Sequence, residues 1–149
     1  MLIEENINIR APVRKIWETM LNPSVLILCV PGIENLEIVD ENTYRAVLKT
    51  KVSVVTATFD AVIKIINRQE PVYIKIVGEG KGRMGAGRVV FNQAVNLESV
   101  SVNETNVSYK LELNVIGRLA ALGGKAIVKK VNDISGEFRD SFKAKCESV

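Results

Sequence analysis

Hydrophobic and polar residues alternate from the start of the chain. Ile3, Ile7 and Ile9 share one side, Glu4, Asn6, Asn8 and Arg10 the other, and Glu5 alone breaks the pattern. A period of two predicts a half-buried strand over Leu2–Arg10. Ala11-Pro12 ends it, and Pro12 suits the first position of a helix, where a missing N–H is harmless. Val13, Ile16, Trp17, Met20 and Leu21 then recur at three-four spacing, which predicts a short amphipathic helix. Asn22-Pro23 repeats the cap-then-proline start and predicts a second helix to about Val30, stopped by Pro31-Gly32.

From Ile33 to Ile116 the period returns to two. Strands are predicted at Ile33–Asp40, Thr43–Val52, Thr56–Asn67, Pro71–Gly82, Gly87–Val100 and Thr105–Val115, seven with the first. Short polar links such as Asp40-Glu41-Asn42 and Asn103-Glu104 imply antiparallel hairpins. The last stretch changes period again. Leu119, Leu122, Ala126, Ile127, Val131, Ile134, Phe138 and Phe142 fit a long helix, with Lys125, Lys129, Lys130, Asp133, Arg139 and Lys143 on its far side. Such a helix needs a broad apolar surface. A curled antiparallel sheet of seven strands, with the two short helices between strands one and two, supplies it. The expectation is one α+β domain over residues 1–149.

Composition narrows the chemistry. The chain is 47% hydrophobic and 25% charged, ordinary for a globular domain. Its longest apolar runs, Val25–Val30 and Ile116–Leu122, fall far short of the ~20 residues that span a bilayer. The acidic, strand-like start does not resemble a signal peptide, so a cytoplasmic location is expected. There is no histidine, which removes Ser-His-Asp and Cys-His catalysis and the commonest metal ligand. Cys29 and Cys146, far apart, do not have zinc spacing and are expected to be free structural thiols. No metal or cofactor is expected. Glu5 is the one plausible inward carboxylate and no lysine is predicted inward, so the chain is not expected to be an enzyme.

Gly80-Lys-Gly82-Arg-Met-Gly85 spells a dinucleotide fingerprint, but a strand follows it where the fingerprint needs a helix. Gly78, Gly80 and Gly82 share one face of their strand, which either lets the sheet bend or leaves volume for a ligand. Trp17 is a core anchor or a pocket wall. Thr50, Gln93 and Tyr109, polar and inward, either bond locally or orient the polar end of a ligand. Arg118, Lys125, Lys129 and Lys130 form a solvated helix face or attract anionic lipid or an acidic partner. Nucleic acid is not expected, because no exposed aromatics interleave with these cations.

Several segments, in order and spacing, resemble the family of the carbon monoxide dehydrogenase G subunit, within the helix-grip superfamily that includes START domains and polyketide cyclases. They are Ala11-Pro12-Val13 with Ile16-Trp17, Cys29-Val30-Pro31-Gly32-Ile33-Glu34-Asn35-Leu36, Lys49-Thr50-Lys51-Val52 with Ala57-Thr58-Phe59, Gly78-Glu79-Gly80-Lys81-Gly82, and Gly117-Arg118-Leu119-Ala120-Ala121-Leu122-Gly123. The resemblance implies a helix-grip fold enclosing a hydrophobic cavity. It also implies an accessory role beside a molybdenum-containing dehydrogenase, in quinone handling or in membrane recruitment with a peripheral membrane contact. A hydrophobic small molecule, quinone or lipid-like, is the implied ligand. The superfamily also contains cyclases and hydratases, and an assembly protein without ligand is the third alternative. The expected pocket residues are Trp17 and Leu26 from the short helices, Leu48, Phe59, Ile63, Ile76, Gly78, Gly80, Phe91, Gln93 and Tyr109 from the sheet, and Leu119 and Leu122 from the start of the long helix.

Overall fold

The computed structural model describes residues 1–148. Strand β1 (Leu2–Ile9) leads into helices α1 (Val13–Leu21) and α2 (Pro23–Cys29). Strands β2 (Ile33–Asp40), β3 (Thr43–Val52), β4 (Val55–Gln69), β5 (Tyr73–Gly82), β6 (Gly87–Ser101) and β7 (Glu104–Ile116) follow, and helix α3 (Gly124–Glu147) closes the chain. The strands form one antiparallel sheet in the order β1-β7-β6-β5-β4-β3-β2. Five of its six pairings are consecutive hairpins, and β1 returns to the far edge to pair with β7. The curved sheet grips α3, as the patterning predicts.

The register explains which side chains meet. Ile65, Ile76, Gln93, Leu111 and Ile3 stand in one row across β4, β5, β6, β7 and β1. The next row holds Ile63, Gly78, Phe91 and Leu113. All face α3, because side chains two apart share a face. Thr105, fully buried, donates its hydroxyl proton to the carbonyl of Ala11 at 2.9 Å and ties the end of β1 to β7.

Three local expectations change. Pro12 is the cap of α1 rather than its first residue, with an extended ψ of 145°. The apolar stretch from Leu119 does not open the long helix: Arg118–Leu122 is a separate 3-10 turn. Gly117 and Gly123, at φ 93° and 97°, bracket it, and a left-handed backbone cannot continue a right-handed helix. Arg139, expected on the outer side of the helix, instead reaches the inward Glu5 of β1, its guanidinium donating to Oε2 at 2.9 Å. The Asn22-Pro23 start holds as predicted, with Asn22 Oδ1 accepting from the Ser24 N–H at 3.0 Å.

Cys29 and Cys146 are free and buried in the same cluster as α1. Burial raises both thiols, Cys146 from the ordinary 9.0 to about 11. A thiol held neutral in the fold but free to ionise when unfolded gives a defined alkaline dependence. Stability is unaffected below pH 9 and falls as the pH rises from 9 to about 11. At about 1.4 kcal/mol per unit, Cys146 accounts for a loss of roughly 2–3 kcal/mol. Urea denaturation at pH 8 and pH 11 measures it, and Cys146→Ala should flatten the slope even where it lowers stability throughout.

Candidate functional site

The buried core is divided. One cluster joins Ile3, Ile7, Ile9, Ile16, Trp17, Leu97, Val107, Tyr109, Phe142 and Cys146 at the end where α1 and α2 pack on the C-terminal half of α3. The other joins Val52, Ala57, Phe59 and Leu119 at the opposite end, with Ala86, Leu122 and Ile127 against it. Between them the inward side chains are only half-buried: Leu48, Ile63, Ile76, Phe91, Leu111 and Leu113 on the sheet, and Val131, Ile134 and Phe138 on α3. A closed core at native density would bury these residues fully. The inward faces of sheet and helix thus carry a half-buried apolar band, the gap, between two packed ends, with Ile63, Ile76, Leu111, Val131 and Phe138 packed against the first cluster.

Polar groups enter this gap at few points. Gln93 faces it from the middle of β6, half-buried. Every fully buried side-chain nitrogen or oxygen among the described residues has a partner. Along β7, Tyr109 stands opposite Glu5 of β1. Burial, with the Glu5 charge adding, holds the Tyr109 phenol above its usual range, so it remains a neutral donor. Glu5, its side chain 23% exposed, is held by Arg139. The pair makes one nearly neutral patch beside the apolar gap.

The predicted pocket residues separate into three groups. Leu48, Ile63, Ile76, Phe91 and Gln93 lie in the half-buried band, Ile63 and Ile76 packed against the first cluster. Trp17 is 1% exposed, lies in the first cluster and donates its indole N–H to Glu70 Oε1 at 2.8 Å. Leu26 packs beside it, and Tyr109 joins that cluster's edge. Phe59, Leu119 and Leu122 belong to the second cluster. The glycines make room for rings. A Cβ on Gly78 would lie 2.2 Å from Phe91 Cζ, and one on Gly80 would meet the Phe59 Cβ at 3.5 Å. Gly82 sits against Ala86 and Gly87 in the following turn. Arg118, Lys125 and Lys129 are exposed and Lys130 half-buried, with Lys129 paired to Asp133 at 3.2 Å. Sequence reasoning missed Arg139, whose register on α3 suits either face. The inward Glu5 was the signal that a cation must approach.

Two open hollows, of about 730 and 390 Å³, lie elsewhere, on the outer face of the sheet. Leu2, Val62, Lys64, Val77, Glu79 and Val90 line the larger and Val47, Val62 and Glu79 the smaller, and of the predicted pocket residues only Gly78 and Phe91 border them. Among the described residues, no helix is long and apolar enough to cross a membrane.

A curved seven-stranded antiparallel sheet gripping a C-terminal helix defines a helix-grip protein, and solved structures share that architecture. A conserved protein from Geobacillus kaustophilus superposes with a TM-score of 0.88 at 23% identity, covering 98% of this chain and 95% of that one. The Zhui aromatase/cyclase from Streptomyces sp. R1128 gives 0.72 at 12% identity over 99% and 93%. A START superfamily protein from Mycobacterium smegmatis gives 0.72 at 11% over 98% and 97%. No curated protein sequence matches the chain. The family of the carbon monoxide dehydrogenase G subunit (CoxG) matches residues 6–146, and the chain belongs to it.

Proposed function

We propose that the chain is a non-catalytic carrier of a hydrophobic small molecule, quinone or lipid-like, serving a molybdenum-containing dehydrogenase or its membrane recruitment. The observation that carries this is the half-buried apolar band between two closed clusters, with the polar side chain of Gln93 in its middle. An apolar slot with few polar points suits a ligand with a long apolar body and a carbonyl or hydroxyl head. The dehydrogenase connection follows from the family's name.

Native mass spectrometry with menaquinone analogues tests the carrier. One analogue should be retained per chain, and an empty chain at every concentration would sink the proposal. Gln93→Ala should weaken retention roughly threefold to tenfold, the effect of one hydrogen bond.

One observation favours a second reading, an enzyme of the cyclase or hydratase kind. The Glu5 carboxylate stands opposite Tyr109 on the inward face, an acid and a phenol within one patch. Against it, the carboxylate is already engaged by Arg139. Mass spectrometry with a poly-β-ketone probe separates the two: release lighter by one water marks dehydrative cyclisation, release heavier by one water marks hydration, and a carrier returns the probe unchanged.

A further inference from the structure

We infer that the end of the molecule formed by the β3–β4 hairpin tip, the β5–β6 turn and the 3-10 turn before α3 docks on an anionic lipid surface. It rests on the membrane part of the proposed function and not on the ligand.

The topology brings these three segments together. Leu119 of the 3-10 turn donates its N–H to the Ala86 carbonyl of the β5–β6 turn at 2.9 Å. Leu119 also packs with Val52 and Ala57, which flank the β3–β4 tip. The chemistry of this end differs from that of the rest of the chain. Residues 49–59, 81–91 and 117–132 hold nine of the 20 lysines and arginines and none of the 17 acids. The remaining residues therefore carry eleven cations against 17 acids. Neighbouring Asp60 and Glu79 engage Arg83 and Arg88, and Asp133 engages Lys129. Lys49, Lys51, Lys81, Arg118, Lys125 and Lys130 form no salt bridge among the described residues. A chain with a modest net charge of +3 is thus strongly polarised.

Two large apolar side chains project from the same end. Val54 at the hairpin tip is 86% exposed and Met84 in the turn 96%. Met84 also sits at φ 57°, a left-handed backbone that favours glycine. Neither residue gains packing in the fold, and Met84 carries a backbone cost as well. Apolar prongs within a field of unpaired cations match a bilayer interface, where the prongs leave water and the cations meet phosphate. A purely acidic protein partner would use the cations and leave both prongs in water.

Co-sedimentation with phosphatidylcholine vesicles, with and without phosphatidylglycerol, tests this. Binding is expected only with phosphatidylglycerol and should weaken as salt is added. Lys51→Gln and Arg118→Gln should each reduce it roughly fivefold, and Lys143→Gln on the far half of α3 should leave it unchanged. Met84→Gly relieves the left-handed strain, so it should keep or raise the melting temperature. Combined with Val54→Ser, it should reduce vesicle binding at least tenfold. A thiol-reactive fluorophore on Met84→Cys should shift to the blue on the vesicles, since both native thiols are buried. Absence of binding to phosphatidylglycerol vesicles, binding indifferent to Met84→Gly with Val54→Ser, or an unshifted fluorophore overturns the proposal. Ligand retention by the same variants, read by native mass spectrometry, should be unchanged. An empty pocket with intact vesicle binding counts against the carrier alone.

Discussion

Replacing Trp17 by alanine is expected to lower unfolding free energy by about 3–5 kcal/mol, read from urea or guanidinium denaturation. The residue is 1% exposed and joins α1 to the cluster that also holds β1, β7 and the last turns of α3. Removing the indole leaves a cavity between elements from both ends of the sequence, so little of it can close by local movement. A domain of this size has about 5–15 kcal/mol of stability in total, so the loss is a large share. Trp17→Phe isolates the polar part, because the ring remains while the N–H to Glu70 is lost. It should cost clearly less than alanine. The Glu70 carboxyl is held below its usual range by that N–H first and by Arg14 second. Its contribution is present at neutral pH and is lost as the pH falls through its lowered value. Trp17→Phe should therefore also weaken the acid dependence of stability. A cost for Trp17→Ala below about 1 kcal/mol would show that α1 is not part of the core.

The second large effect concerns the gap. Gly78→Ala places a Cβ 2.2 Å from Phe91 Cζ and 2.4 Å from Cε1, so the ring must move. In a closed core such overpacking costs about 1–3 kcal/mol. Phe91 is half-buried rather than fully enclosed, so its ring can swing aside along the band. The expected result is a stability loss under about 1 kcal/mol with ligand retention reduced at least tenfold, because the ring then occupies the slot. Adding Phe91→Ala should restore retention, a non-additive pair as expected for residues in contact. A loss of several kcal/mol from Gly78→Ala would show instead that the slot is packed shut.

The fold was legible because its periods are long and clean. Strand parity from Tyr44 to Val115 and the three-four spacing from Ile127 to Phe142 each predict one burial pattern, and the structure has it except at Arg139, which turns to Glu5. The break before α3 was harder to read. Leu119 and Leu122 keep helical spacing, and only the backbone angles at Gly117 and Gly123 show that the helix starts later. The site was legible in part for a similar reason. Parity shows that Gln93 and Phe91 face inward, but depth along the sheet decides whether an inward residue borders the gap or a packed cluster. Trp17, Phe59 and Leu119 are all inward and all packed. The same limit applies to Gly78 and Gly80, since a missing side chain is identical in sequence whether a ring or a ligand takes its place.

Local rules thus determined most of this protein from sequence alone: the strands, the two short helices, the apolar face of α3 and the lack of histidine chemistry. Each depends on residues within a few positions of one another. Tertiary structure alone decided the rest. It placed Phe91 over Gly78, Arg139 against Glu5, and three acid-free segments at one end. These pairs are set by register and sheet curvature, which sum small twists over seven strands and leave no short-range signal in the chain.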